Sequence, residues 1–87
     1  MPTVVDISQK LTTLLHMGVF GDDRRHFETN EPLGEHGVGL DSLGLVQFLS
    51  KAEAEFGIEV PTEVWSEADQ ITIEDFAAVV LQELQRA

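Results

Sequence analysis

The densest chemical signal in the chain is Gly39-Leu40-Asp41-Ser42-Leu43-Gly44, where a glycine-rich stretch gives way to a helical one. A serine at such a junction lies beside the first backbone N–H groups of a helix, which lack partners and sit at the positive end of the helix dipole. Those groups favour a phosphate attached to, or approaching, the serine hydroxyl. Local sequence leaves a plainer reading open, in which Asp41 or Ser42 is simply the N-cap. A nucleophilic serine hydrolase fits poorly. Gly-x-x-Ser-x-Gly is not the Gly-x-Ser-x-Gly elbow, and no strand pattern precedes it to build an oxyanion site upon. His16, His26 and His36 recur at a spacing that matches no metal-ligand motif. Asp22-Asp23 lacks the alternating acids and closing glutamate of a calcium loop, so no metal site is expected.

The elements that must position Ser42 are helical, because three segments carry the helical period and none sustains period-two alternation. The first spans about 3–16, with Val4, Ile7, Leu11, Leu14 and Leu15 on one side, Thr3 and Asp6 as a capping pair, and Gly18 and Gly21 ending it. The second begins at Asp41 or Ser42 and reaches Phe56. Its stripe of Leu45, Phe48, Leu49, Ala52 and Phe56 faces a core, and Gly57 stops it in the left-handed conformation. The third starts at Thr72, capped with Asp75 and stapled by Ile71 onto Phe76; Ile73, Phe76, Ala77, Val80 and Leu84 repeat the same stripe. Between the last two, 61–69 holds a short helical turn anchored by Val64 and Trp65, with Trp65 capping the core near Pro61. The expected fold is therefore all-α: a small four-helix bundle, three main helices plus one short, with a long loop between the first two main helices. That loop, 17–40, contains five of the seven glycines. It is long enough to run back along the bundle, with Phe20, Phe27 and Leu33 pinning it to the core. Turned at helical pitch, Leu43, Val46, Gln47, Ser50 and Ala54 point away from the stripe, so apolar Leu43 and Val46 stand exposed just beyond Ser42, as on a docking surface.

Composition narrows the partners. The chain has 87 residues, read as one domain over 1–87, and a core of that size leaves little room for a deep catalytic pocket. A net charge of −11 repels phosphate backbones and anionic lipid headgroups, so nucleic acid and membrane insertion are not expected, whereas basic protein surfaces are suitable partners. The absence of cysteine removes disulfides, thiolate metal sites and a thiol nucleophile, and suits a reducing, cytoplasmic location. Met1 to Lys10 has no signal-peptide pattern, and the longest apolar run, Phe76 to Leu81, is too short to span a bilayer.

Asp41-Ser42-Leu43 is followed, one helix length on, by Glu53-Ala54-Glu55-Phe56-Gly57-Ile58-Glu59-Val60-Pro61. With the acidic four-helix layout across nearly the whole chain, this resembles the acyl carrier proteins and their peptidyl-carrier relatives. The resemblance implies a non-enzymatic carrier whose Ser42 is esterified by the 4′-phosphopantetheine arm of coenzyme A, with an acyl group held as a thioester on the arm's thiol. It implies that Asp41 and Leu43 help seat the phosphopantetheinyl transferase. Leu43, Val46 and Gln47 would lie on the docking face, and Glu53 would meet basic residues of partners. Further partners would be an acyl ligase or acyltransferase and synthase-type enzymes with basic patches, met by a monomer. Gly44 stands where the fatty-acid branch usually has an acid, and Gln47 where it usually has a glutamate. A specialised fatty-acyl, polyketide or aminoacyl pathway is expected on that ground, an aminoacyl or peptidyl carrier of nonribosomal peptide assembly being the less favoured variant. Gly44 also weakens the start of its helix by ~1 kcal/mol relative to alanine. The aliphatic positions Leu45, Leu49, Ile58, Val60, Ile71, Ile73 and Val80 are first of all core, and could part to shelter an apolar chain. The rival reading is a helical protein-interaction module whose Ser42 is a helix cap and nothing more.

Overall fold

The computed structural model describes residues 3–16 and 28–86. Among them are four helices, α1 (Val4–Leu14), α2 (Ser42–Phe56), α3 (Thr62–Ser66) and α4 (Ile73–Arg86), and no strand beyond an isolated bridge between Pro32 and Thr72. Gly18, Phe20, Gly21, Asp22, Asp23, His26 and Phe27 lie outside the described residues.

Each helix start follows from its capping residues. At α1 the Thr3 hydroxyl accepts from the Asp6 N–H at 3.2 Å while the Asp6 carboxylate accepts from the Thr3 N–H at 3.1 Å, a reciprocal capping box. Before α4, Thr72 and Asp75 make the same exchange at 3.0 and 3.5 Å. The second main helix ends at Gly57, whose φ of 66° and ψ of 37° place it in the left-handed region that a residue with a Cβ enters at a cost. The short helix is Thr62–Ser66, inside the expected 61–69, with Val64 buried and Trp65 half-buried.

The helices assemble by burying the stripes read from the sequence. α1 packs chiefly on α4 and also touches α2. Ile7, Leu11 and Leu15 meet Phe48, Leu49 and Ala52 of α2 and Ile73, Phe76, Ala77 and Val80 of α4 in one cluster. At its centre the Phe48 and Phe76 rings meet edge to face, centroids 5.6 Å apart and 69° between planes. Leu45, Phe56 and Leu84, from the ends of the stripes, are half-buried. At the periphery the Lys10 ammonium lies 6.0 Å from the centre of the Phe56 ring, joining α1 to the end of α2.

The segment leading into α2 is held by backbone hydrogen bonds. Leu33 N–H donates to Ile71 O at 2.8 Å and Gly34 N–H to Asp69 O at 3.0 Å, fastening residues 33–34 to the α3–α4 connection. Glu74 N–H donates to Thr29 O at 3.0 Å. Leu33, Val38 and Leu40 turn into the core, so Leu33 pins this stretch as expected. Gly34 is obligatory here for lack of space: a Cβ would lie 2.6 Å from Asp69 O, a backbone atom that cannot swing aside. We expect Gly34→Ala to destabilise the protein by ~1–3 kcal/mol. The drop should appear in thermal unfolding, with faster hydrogen exchange at the Leu33 and Gly34 amides.

Candidate functional site

Gly39 sets the approach to the site. Its φ of 94° turns the chain so that Leu40 is buried while Asp41 and Ser42 emerge on the surface. Gly39 N–H donates to Gly34 O at 2.8 Å and Leu40 N–H to Leu33 O at 3.0 Å, so this turn is tied to the stretch fastened on the α3–α4 connection. Ser42 is the first residue of α2 and is exposed.

The cap is Asp41. Its carboxylate accepts from the Gly44 N–H at 2.7 Å, and its carbonyl accepts from the Leu45 N–H at 2.9 Å. Capping thus occupies Asp41 and leaves the Ser42 hydroxyl unengaged among the described residues. The N–H groups of Ser42 and Leu43 likewise have no partner among the described residues, as expected for the first turn of a helix. Gly44 is buried beneath this cap, and a Cβ there would lie 3.2 Å from both Asp41 Oδ1 and Leu40 Cδ2. The glycine that costs helix propensity is thus the one that lets Leu40 and the cap close over the helix start.

Two depressions meet at Ser42. One, of about 680 Å³, has a mixed lining, with Pro32, Leu40 and Leu45 beside Glu35, His36, Asp41, Asp69 and Gln70. The other, of about 310 Å³, runs along α2 past Leu45, Val46 and Leu49 to Trp65 and Ala68. On the outer face of α2, Leu43 is 66% and Val46 49% exposed, with Gln47, Ser50 and Ala54 exposed beside them. Glu53 is half-buried, and one of its carboxylate oxygens accepts from the Val60 N–H at 2.8 Å, bracing the turn between α2 and α3. That structural duty is a residue role that sequence reasoning missed: it joins residues across a turn and leaves no periodic trace.

His36 is exposed and lines the larger depression, and His16 is half-buried just beyond the end of α1. No group of three or more potential metal ligands occurs among the described residues, and no described helix is long and apolar enough to cross a membrane.

The surroundings of Ser42 fit a phosphodiester-linked arm. The hydroxyl is exposed and free of capping duty, unpaired N–H groups at the positive end of a helix lie beside it, and both depressions open at its position. A family described as phosphopantetheine attachment site matches residues 9–80 of the chain. No curated protein and no solved structure matched it. The matched span takes in α2, α3 and nearly all of the core, and carrier domains of this family bear their substrates without transforming them. The chain belongs to the phosphopantetheine attachment family and is a non-catalytic carrier of covalent 4′-phosphopantetheine.

Proposed function

We propose that Ser42 is the attachment point and that the protein carries an acyl group among enzymes of a specialised fatty-acyl, polyketide or aminoacyl pathway. The observation that carries this reading is the exposed Ser42 hydroxyl beside unpaired helix N–H groups, with capping done by Asp41. In the loading reaction the Ser42 oxygen bonds to the phosphorus of coenzyme A that bears the pantetheine. The bond from that phosphorus to the bridging oxygen breaks, adenosine 3′,5′-bisphosphate leaves, and the serine proton passes to a base of the transferase. The bound arm supplies a terminal thiol that holds the cargo as a thioester. Asp41 keeps the first turn of α2 fixed, and the N–H groups of Ser42 and Leu43 offset the phosphate charge.

Leu43 and Val46 form the apolar centre of the docking face, with Gln47 beside them and Glu53 at the inner edge. Around it the surface is acidic: residues 53–83 hold nine acids and no Lys or Arg. Such a field steers toward basic patches on a transferase, an acyl ligase or acyltransferase and synthase-type enzymes. It also releases them readily, since exposed ion pairs contribute only ~0–1 kcal/mol each. We expect Leu43→Ala with Val46→Ala to slow transferase modification at limiting protein by roughly tenfold, the size of one lost apolar anchor, with thermal unfolding almost unchanged. An equal loss in thermal stability would assign these residues to the fold instead.

Gly44 and Gln47 support a specialised pathway over the general fatty-acid one. An acid at position 44 would be crowded against Leu40 and would set a second carboxylate beside Asp41. The same reading takes residues 1–87 as a single, monomeric carrier domain working in the cytoplasm. Incubation with coenzyme A, magnesium and a promiscuous phosphopantetheinyl transferase tests it. A mass gain of one phosphopantetheine supports the reading, and no gain with several transferases overturns it.

A further inference from the structure

We propose that the depression between α1 and the start of α4 is a binding site for a small amphiphilic amine, an apolar chain ending in an ammonium group. This third depression has a volume of about 510 Å³, within the size range of small-molecule sites. One wall is α1, where Val4, Ser8 and Thr12 form a row at i, i+4 spacing and Val5, Gln9 and Thr13 form the next. From Val4 to Thr13 the helix rises about 13 Å, enough to lay an alkyl chain of about eight carbons alongside it. Thr29 and the first turn of α4, at Glu74, supply the rest, joined by the bond from Glu74 N–H to Thr29 O at 3.0 Å. None of these residues lines either depression at Ser42, so the inference does not rest on Ser42 carrying the arm.

The chemistry of the lining selects the occupant. Val5 is 64% exposed and Val4 half-buried beside it, an apolar strip that an alkyl chain can take out of water. The polar groups are biased toward accepting. Thr12 and Thr13 donate their hydroxyl hydrogens to the Ser8 and Gln9 carbonyls of their own helix, at 2.8 and 3.0 Å, so those two oxygens have only lone pairs to offer. The Glu74 carboxylate accepts only, and it has no hydrogen bond or ion pair among the described residues. No Lys, Arg or His is among the described residues of the lining. Ser8 adds an orphan: the residue is 7% exposed and its Oγ has no partner, a state that costs free energy until the hydroxyl finds one. A rotamer change at this side chain turns the hydroxyl toward an occupant. An ammonium brings three donors and a positive charge to this set. A carboxylate or phosphate would meet Glu74 as a like charge, and a plain hydrocarbon would leave Ser8 and Glu74 unmatched.

Octylammonium is the probe, with octan-1-ol and octanoate as chain-matched controls, each titrated into the isotope-labelled protein and followed by amide NMR shifts. Octylammonium should give saturable shifts at Val5, Ser8, Thr12, Thr29 and Glu74, with those of Ser42 to Val46 almost unmoved; octan-1-ol should bind several-fold more weakly and octanoate not at all. Glu74→Gln should weaken octylammonium binding by roughly fivefold, the scale of one exposed ion pair, and leave octan-1-ol binding unchanged. Ser8→Ala should weaken both the amine and the alcohol while melting no lower than the wild type, because it removes a hydroxyl that has no partner. Failure to saturate, an equal response to octanoate, or unchanged octylammonium affinity in either variant overturns the proposal. Shifts spread over the whole acidic surface overturn it as well, since they mark ion pairing without a site. So do shifts at these same amides that grow with protein concentration alone, which would assign the face to a second copy of the chain.

Discussion

Ser42→Ala is expected to abolish phosphopantetheine loading while leaving the fold and its stability intact. The two effects separate because Asp41, not Ser42, makes the capping hydrogen bond of α2, at 2.7 Å to the Gly44 N–H. Ser42 is exposed and its hydroxyl supports no other residue among those described, so its loss should change stability by no more than ~0.5 kcal/mol. Asp41→Ala should behave in the opposite sense. It removes the cap at a cost of ~1 kcal/mol, loosens the first turn and slows loading without eliminating the nucleophile. Circular dichroism melts paired with intact mass distinguish the two. If Ser42→Ala melted well below the wild type, the serine would have a structural duty that the observed cap leaves unfilled.

Phe76→Ala is the substitution expected to cost the most stability. Phe76 is wholly buried on α4 and its ring meets Phe48 edge to face, so truncation leaves a cavity and removes the aromatic pair together. Such changes cost ~3–5 kcal/mol. A chain of this length has only about 4–13 kcal/mol to lose. The melting temperature should fall by roughly 15–30 °C, with loss of cooperativity at the larger end. Phe76→Leu preserves more volume and should cost about 1.5 kcal/mol. Similar melts for the two variants would contradict a close-packed centre.

The features legible in the sequence were those written in side chains at fixed spacing. The end of α2 followed from Gly57 and its start to within Asp41 or Ser42, and the starts of α1 and α4 from Thr3 with Asp6 and from Thr72 with Asp75. The outward face of Leu43, Val46 and Gln47 followed from helical pitch alone. What stayed hidden was carried by the backbone or by contacts across a turn. The fastening of Leu33 and Gly34 to Ile71 and Asp69 uses amide and carbonyl groups that every residue possesses, so only the requirement for Gly34 betrays it. Glu53 reads as one more surface acid until its bond to the Val60 amide is seen. Between Asp41 and Ser42 as cap, residue preference is nearly even, and the choice depended on backbone geometry: Asp41 is extended and Ser42 already helical. Gly44 read as a departure from the fatty-acid branch and a weak point of its helix, because a glycine's propensity cost is visible in sequence and the neighbour that needs its space is not.

Whether one particular serine bears the arm is decided by peptide mapping. The chain is loaded from coenzyme A, cleaved with endoproteinase and sequenced by tandem mass spectrometry. A single phosphopantetheine is expected on Ser42, with Ser8, Ser50 and Ser66 unmodified. An arm found on any of those three, or a loaded Ser42→Ala protein, would contradict it.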